Sequence, residues 1–405
     1  MTPEQHGACT SGANPFVKNT YDADPGGVTW SGTNDAVGRL TQSVAVNYLP
    51  SPDNTQGTVT QNMQYDARGQ LITGRLNIAA SGGTLAFPTL PQYQQALSYN
   101  DAGQLTTTQT TVGGLAAYAF TQAYDGTTSV LTGLSNNTTG VANLATLSYN
   151  NQNLIGSINY LSTTGTALAS NAFSYDGDLR PSGNSATWQA GGTLSSENLA
   201  YDAAGNVLSR ATTQAAIPGQ SGSGGSDTQN YCYDEHNRLI WAANNGTIPS
   251  AGNGTCGSAS MSSTLGGNYT ARYASTNLGQ LWQGPQNGTG TQEQYLYCDS
   301  SHPHQLSNLS QVSSSPTCSS KGTIDYTGSY DAWGNVTSQQ RGSTTKSTAY
   351  DAQDHLLHWS SSTNNQQEWY LYDASGERVL RRSFDGTTTT LTVYAFGLEE
   401  HQYAY

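Results

Sequence analysis

The chain has 405 residues, only 10% of them charged, with 14 Lys and Arg against 27 Asp and Glu for a formal net charge of −13. Phosphate backbones and anionic lipid surfaces are held by clustered Lys and Arg, so this balance argues against nucleic acid and against anionic membranes as partners. The polar composition would suit disorder were it not for 25 Tyr spread along the chain, which favour half-buried pleated surfaces.

Met1 to Thr10 lacks a basic patch followed by an apolar stretch, so no secretory signal is expected there, and no later run approaches the length of a membrane-spanning helix. Residues 1–60 read as degenerate repeats at an edge, and residues 61–405 as one repeat array without a separate catalytic domain. The repeat is explicit at Tyr65-Asp66-Ala-Arg-Gly69-Gln-Leu71 and Tyr99-Asn-Asp-Ala-Gly103-Gln-Leu105. It returns at Tyr201-Asp202-Ala-Ala-Gly205-Asn-Val207 and Tyr233-Asp234-Glu-His-Asn237-Arg-Leu239. Later copies are Tyr330-Asp331-Ala-Trp-Gly334-Asn-Val336, Tyr350-Asp351-Ala-Gln-Asp354-His-Leu356 and Tyr372-Asp373-Ala-Ser-Gly376-Glu-Arg378. Looser copies begin at Tyr124, Tyr149, Tyr175, Tyr273, Tyr297 and Tyr394. A period of roughly 20–40 residues marks a repeat architecture.

The chemistry of one unit predicts its shape. Asp or Asn after Tyr accepts backbone N–H groups two residues on and starts a turn. The Gly, Asn or Asp three residues later tolerates a left-handed backbone. A type I turn followed by such a residue lets two strands pair through a bulge, so Tyr ends the incoming strand and Leu or Val opens the outgoing one. No helical period is visible, and stretches such as Pro218 to Gly225 read as loops. One hairpin alone is marginal in water. Tandem hairpins that pair side by side predict an all-β fold, an antiparallel sheet that the strand twist curves into a spiralling, partial or hollow shell.

Five cysteines are present, four of them in local pairs, Cys232 with Cys256 and Cys298 with Cys318. Two disulfides, which would place the protein in an oxidising compartment, and free buried thiols are both open. Cys9 stands apart.

These motifs resemble the YD-repeat or Rhs-repeat family, which includes bacterial Rhs and wall-associated proteins, the cocoon components of Tc toxins and the teneurin YD-shell. Besides the tandem Tyr-Asp units, Tyr297-Cys-Asp-Ser-Ser-His302-Pro-His304-Gln-Leu306 is similar to the family's His-Pro-His variant. Thr392-Val-Tyr394-Ala-Phe396-Gly-Leu-Glu-Glu400 is similar to segments that precede the Rhs core. The resemblance implies a shell segment of a larger secreted or surface, toxin-associated protein. Such a segment encloses or presents a carboxy-terminal cargo, with missing repeats or an effector domain of the same polyprotein as partners. No core motif or toxin region is recognisable before Tyr405.

Candidate chemistry is sparse. Asp299, Asp325, Glu368, Glu399 and Glu400 are scattered, and no two recommend themselves as a glycosidase pair. His302 and His304 could share a strand face, but no third ligand stands out, so no metal is expected. His355 and His358 read as surface or partner-facing. There is no nucleophile elbow and no phosphate loop, so neither an enzyme nor a cofactor site is expected. The alternative is an adhesion or carbohydrate-binding module that uses exposed aromatics among Trp30, Trp188, Trp241, Trp282, Trp333, Trp359 and Trp369.

Overall fold

The computed structural model describes residues 16–404 except 52, 84, 86, 137–143, 190–191, 217–223, 250–253, 285–292, 312–315 and 398. Cys9, the amino-terminal segment and most of the Pro218 to Gly225 stretch lie outside these residues. Among the described residues there is no helix, and 31 strands follow one another. The pairings are antiparallel, mostly between consecutive strands. The expected all-β array of tandem hairpins is what forms.

Contacts divide the chain into two units, 1–121 with 327–405, and 122–326. In the first unit an amino-terminal meander runs through Leu40–Tyr48, Gln56–Tyr65, Leu71–Ser81, Tyr93–Tyr99 and Leu105–Val112. A second meander runs through Thr344–Tyr350, Leu356–Ser361, Gln366–Tyr372, Arg378–Phe384, Thr389–Ala395 and Glu399–Ala404. Burial alternates strictly along Leu40–Tyr48, as a strand with one covered face requires. Val59, Leu76, Ile78 and Tyr93 from the first meander form one cluster with Leu371, Leu380, Leu391 and Val393 from the second. The two faces thus cover each other.

Polar groups lock the same contact. The Asn47 side chain donates to Tyr372 O and accepts from Tyr372 N, both at 2.9 Å, so one amide completes a strand's backbone pairing. Gln61 donates to Asp373, Trp369 Nε1 donates to Asp53 Oδ2 at 2.7 Å, and the Tyr93 and Tyr403 hydroxyls meet at 2.7 Å. Burial drives the Tyr93 pKa up first, and the Tyr403 hydroxyl adds to it.

The second unit is built differently. Its strands Ala145–Tyr149, Ile155–Leu161, Ala167–Tyr175, Pro181–Trp188 and Gly192–Tyr201 contain no buried residue. The first fully buried side chains come later, around Cys232, Trp241 and Ala243. Cys232 lies directly opposite Cys256 in register, and the two are joined; Cys298 and Cys318 form the second disulfide.

Candidate functional site

The recurrent feature is the Tyr-Asp turn. At Asp202, Oδ1 accepts the N–H groups of Ala204 and Asn206 at 2.9 and 2.8 Å, and Asp202 N donates to Asn206 O. Gly205 closes the turn with φ +92°. The same bonds recur at Asp66 with Gly69, at Asp234 with Asn237, at Asp331 with Gly334 and at Asp373 with Gly376. Asn100 and Asn150 use an amide oxygen for the same task, which shows that the turn needs an acceptor and not a charge. Each turn leaves one residue bulged. Tyr65 pairs with Leu71, while the preceding Gln64 pairs with Thr73, and Tyr99, Tyr201, Tyr233 and Tyr372 repeat the shift.

The tyrosine carries the turn to its neighbour. Its hydroxyl donates to the carbonyl of the first outgoing residue of the preceding turn. The bonds are Tyr65 to Leu40, Tyr99 to Leu71 and Tyr372 to Leu356 in the first unit. In the second unit they are Tyr149 to Leu131, Tyr175 to Ile155, Tyr201 to Pro181, Tyr233 to Val207 and Tyr297 to Leu281. The bulge frees that carbonyl from the sheet ladder, and the hydroxyl satisfies it.

The sixth residue of the unit, silent in the sequence, also bridges. Arg180 Nε bonds Asp176 at 2.7 Å, its Nη1 donates to Asp202 O in the next turn, and its guanidinium lies 4.6 Å from the Tyr201 ring centre. Arg238 bonds Asp234 and reaches Thr276 O. Asn206 links Asp202 to Asn237, and Asn335 links Asp331 to Asp354. His355 bonds Asp351 and stacks on Tyr372 with ring centres 4.7 Å apart. His355 is therefore a brace, not a surface group. His358, expected at the surface, is half-buried against Trp369, and burial pushes its pKa down despite the opposing pull of Asp53 and Gln367.

Three further turns depart from the motif. Ser162 and Thr276 replace Asp with a hydroxyl acceptor, closing on Gly165 and Gly279. Asp35 to Leu40 follows Asn34 in place of Tyr, yet Leu40 receives the Tyr65 hydroxyl. The expected loose copy at Tyr273 is in fact the Thr276 turn. Tyr394 leads into a different turn, with Phe396 and Gly397 at positive φ. His302 bonds Asp299 at 3.0 Å, and no group of three or more metal-binding side chains occurs among the described residues. Trp241 and Trp369 are buried core, whereas Trp188 and Trp333 are exposed at 45% and 64%.

Acid should unravel these turns in a defined window. At Asp202, Asp234 and Asp331 burial raises the carboxyl pKa, but the combined hydrogen bonds of the turn outweigh it and hold each below the usual carboxylate range. A folded-state pKa below the unfolded one contributes stability above about pH 4 and loses it as pH falls through the folded values. Melting temperature is therefore expected to decline slightly below pH 6.5, as His358 protonates, and steeply below about pH 4. Asp202→Asn with Asp331→Asn, which keep the acceptors, should flatten the steep part; an unchanged acid limb would show that the turns do not set it.

Tyr372→Phe, which strands the Leu356 carbonyl, should cost about 1 kcal/mol in denaturant unfolding. Tyr350→Phe should cost less, because no hydrogen bond from the Tyr350 hydroxyl occurs among the described residues. Equal losses would sink the role given to the hydroxyl.

No protein family's sequence profile matches the chain, and no curated protein matches it. Solved structures do. One is TcdB2-TccC3, with a TM-score of 0.48 and 14% identity over 96% of this chain and 21% of the other. A second is TcdB2-TccC3 without its hypervariable C-terminal region, at 0.35 and 14% over 91% and 21%. A third is a porin-like protein from Bacteroides uniformis, at 0.18 and 12% over 90% and 93%. The chain spans about a fifth of the first two. Identities of 12–14% and TM-scores below 0.5 leave the functional case resting on the repeat itself.

Proposed function

We propose that the chain is a YD-type structural segment, part of the wall of a β-shell that encloses or presents a polypeptide of the same polyprotein, and that it is not an enzyme. The observation that carries this reading is the tyrosine ladder: turn after turn is tied through a Tyr hydroxyl to an earlier turn, a device for extending a sheet hairpin by hairpin. Side chains at the turns are engaged in bracing one another, which suits a wall more than a reaction centre. The two disulfides suit an extracellular or cell-surface setting. Small-angle X-ray scattering tests it. A filled domain of this length has a radius of gyration near 22 Å, and a wall segment should give a clearly larger value with pair distances weighted toward the long end. A value at the filled-domain figure would overturn the enclosure.

A further inference from the structure

A cavity of about 420 Å³ opens in the first unit between the Leu40–Tyr48 strand and the turns at Asp331 and Asp351. Its walls carry Phe16, Tyr48, Trp333 and Tyr350, with Phe16 set edge-on to Tyr48 at 5.7 Å. Three carboxylates, Asp331, Asp351 and Asp354, also line it, and no Lys or Arg does. We propose that this pocket receives the cationic side chain of an arginine or lysine from a partner polypeptide.

The repeat itself supplies the template. Where the sixth residue of a turn is Arg180, the cation sits between its own Asp176 and the ring of the next Tyr201. His355 takes that place between Asp351 and Tyr372. Arg39, sixth from Asn34, lies over Tyr65 at 5.8 Å. Between Asp331 and Tyr350 the sixth residue is Asn335, which bridges Asp331 and Asp354 but brings no charge. Asn206 before Tyr233 is equally neutral, yet there the Tyr233 hydroxyl is held by Val207 O. At Tyr350 the matching carbonyl, Val336 O, is taken by the Thr348 hydroxyl instead. Tyr350 thus lines the cavity with no hydrogen bond from its hydroxyl among the described residues, and no Lys or Arg of the chain stands beside it there.

Charge and shape then agree on the occupant. Aromatic faces attract a cation through their quadrupole and cover its apolar stem. Asp331 is held ionised by its turn, the hydrogen bonds of Asn335, Trp333 and Gly334 outweighing burial. Asp354 bonds Asn335 through Oδ1 alone and is exposed, which leaves its second oxygen for a charge-assisted bond. The overall charge of −13 steers a basic partner in.

The test is titration of the full chain with N-acetyl-arginine amide and with a Gly-Gly-Arg-Gly-Gly peptide, read by tryptophan fluorescence and NMR. Saturable binding in the millimolar range that weakens with salt is expected. Asp354→Asn, which keeps a residue that tolerates φ +64°, should weaken it by about tenfold. Trp333→Ala should abolish the fluorescence change, and Trp188→Ala should leave binding unaltered. Melting curves establish that each variant is folded. Absence of saturation, equal binding of the glutamine-for-arginine peptide, tighter binding of a neutral disaccharide, or indifference to Asp354→Asn would each overturn the proposal.

Discussion

Leu371→Ala is expected to remove about 2–5 kcal/mol of stability from the first unit. Leu371 is fully buried at the centre of the cluster that joins the two meanders. Opposite it stands Gly57, where an added Cβ would collide with the Leu371 Cδ atoms. The leucine occupies the space that the glycine vacates, so neither side has slack. Strands tied by ladder bonds, by the Asn47 amide and by the Trp369–Asp53 bond cannot close over the void. The same geometry predicts a coupling. Gly57→Ala alone should destabilise by overpacking, by roughly 1–3 kcal/mol, and the double variant should lose less than the sum, since the new methyl fills part of the cavity. Denaturant unfolding of the four proteins measures it. Additive losses, or a loss below about 0.5 kcal/mol for Leu371→Ala, would show that the two faces do not pack as described.

What could be read from the sequence was the part of the turn that is local. Asp202 and Gly205 sit three residues apart, and the preferences of those two residue types for an acceptor and a left-handed backbone determine the hairpin by themselves. Asn153, Asn237 and Asp354 fill the left-handed position as readily. Leu179 does so with φ +63°, which no local preference would indicate, since its Cβ makes that conformation costly. The bracing of Arg180 and His355 was hidden for another reason. Their partners Tyr201 and Tyr372 lie in the next turn, some 17–21 residues on, and only the sheet brings them alongside. His355 and His358 looked like surface residues because a strand pattern does not say which face another meander will cover. The pocket at Tyr350 was equally invisible. It depends on Thr348 taking one carbonyl, two residues before the motif begins.

The second unit should respond to reduction as the first does not. Its cross-link Cys232–Cys256 closes a loop across 24 positions, and both disulfides of the chain lie within this unit. Loop closure of that length stabilises by about 3 kcal/mol relative to the reduced unfolded chain. The apolar core here is thin, because the strands from Ala145 to Tyr201 bury no apolar side chain, the cluster at Cys232, Trp241 and Ala243 is built on the bridge itself, and Ala271, Leu296 and Leu309 add only isolated buried side chains. The returning segment also depends on glycine. A Cβ at Gly254 would strike Tyr233 O, and one at Gly257 would strike Leu208 O. Cys256→Ser, or a thiol reductant, is therefore expected to lower the melting transition of the second unit by several degrees or to split the unfolding into two steps. Hydrogen exchange in Gln366–Tyr372 and Thr389–Ala395 should stay slow. A single transition unmoved by reductant would mean that hydrogen-bonded hairpins hold without the cross-link, and would remove the reason to place the chain in an oxidising compartment. A shifted second unit beside an intact first one would mean that one repeat pattern is stabilised in two ways: by apolar contact where two meanders face each other, and by covalent closure where few apolar side chains are buried.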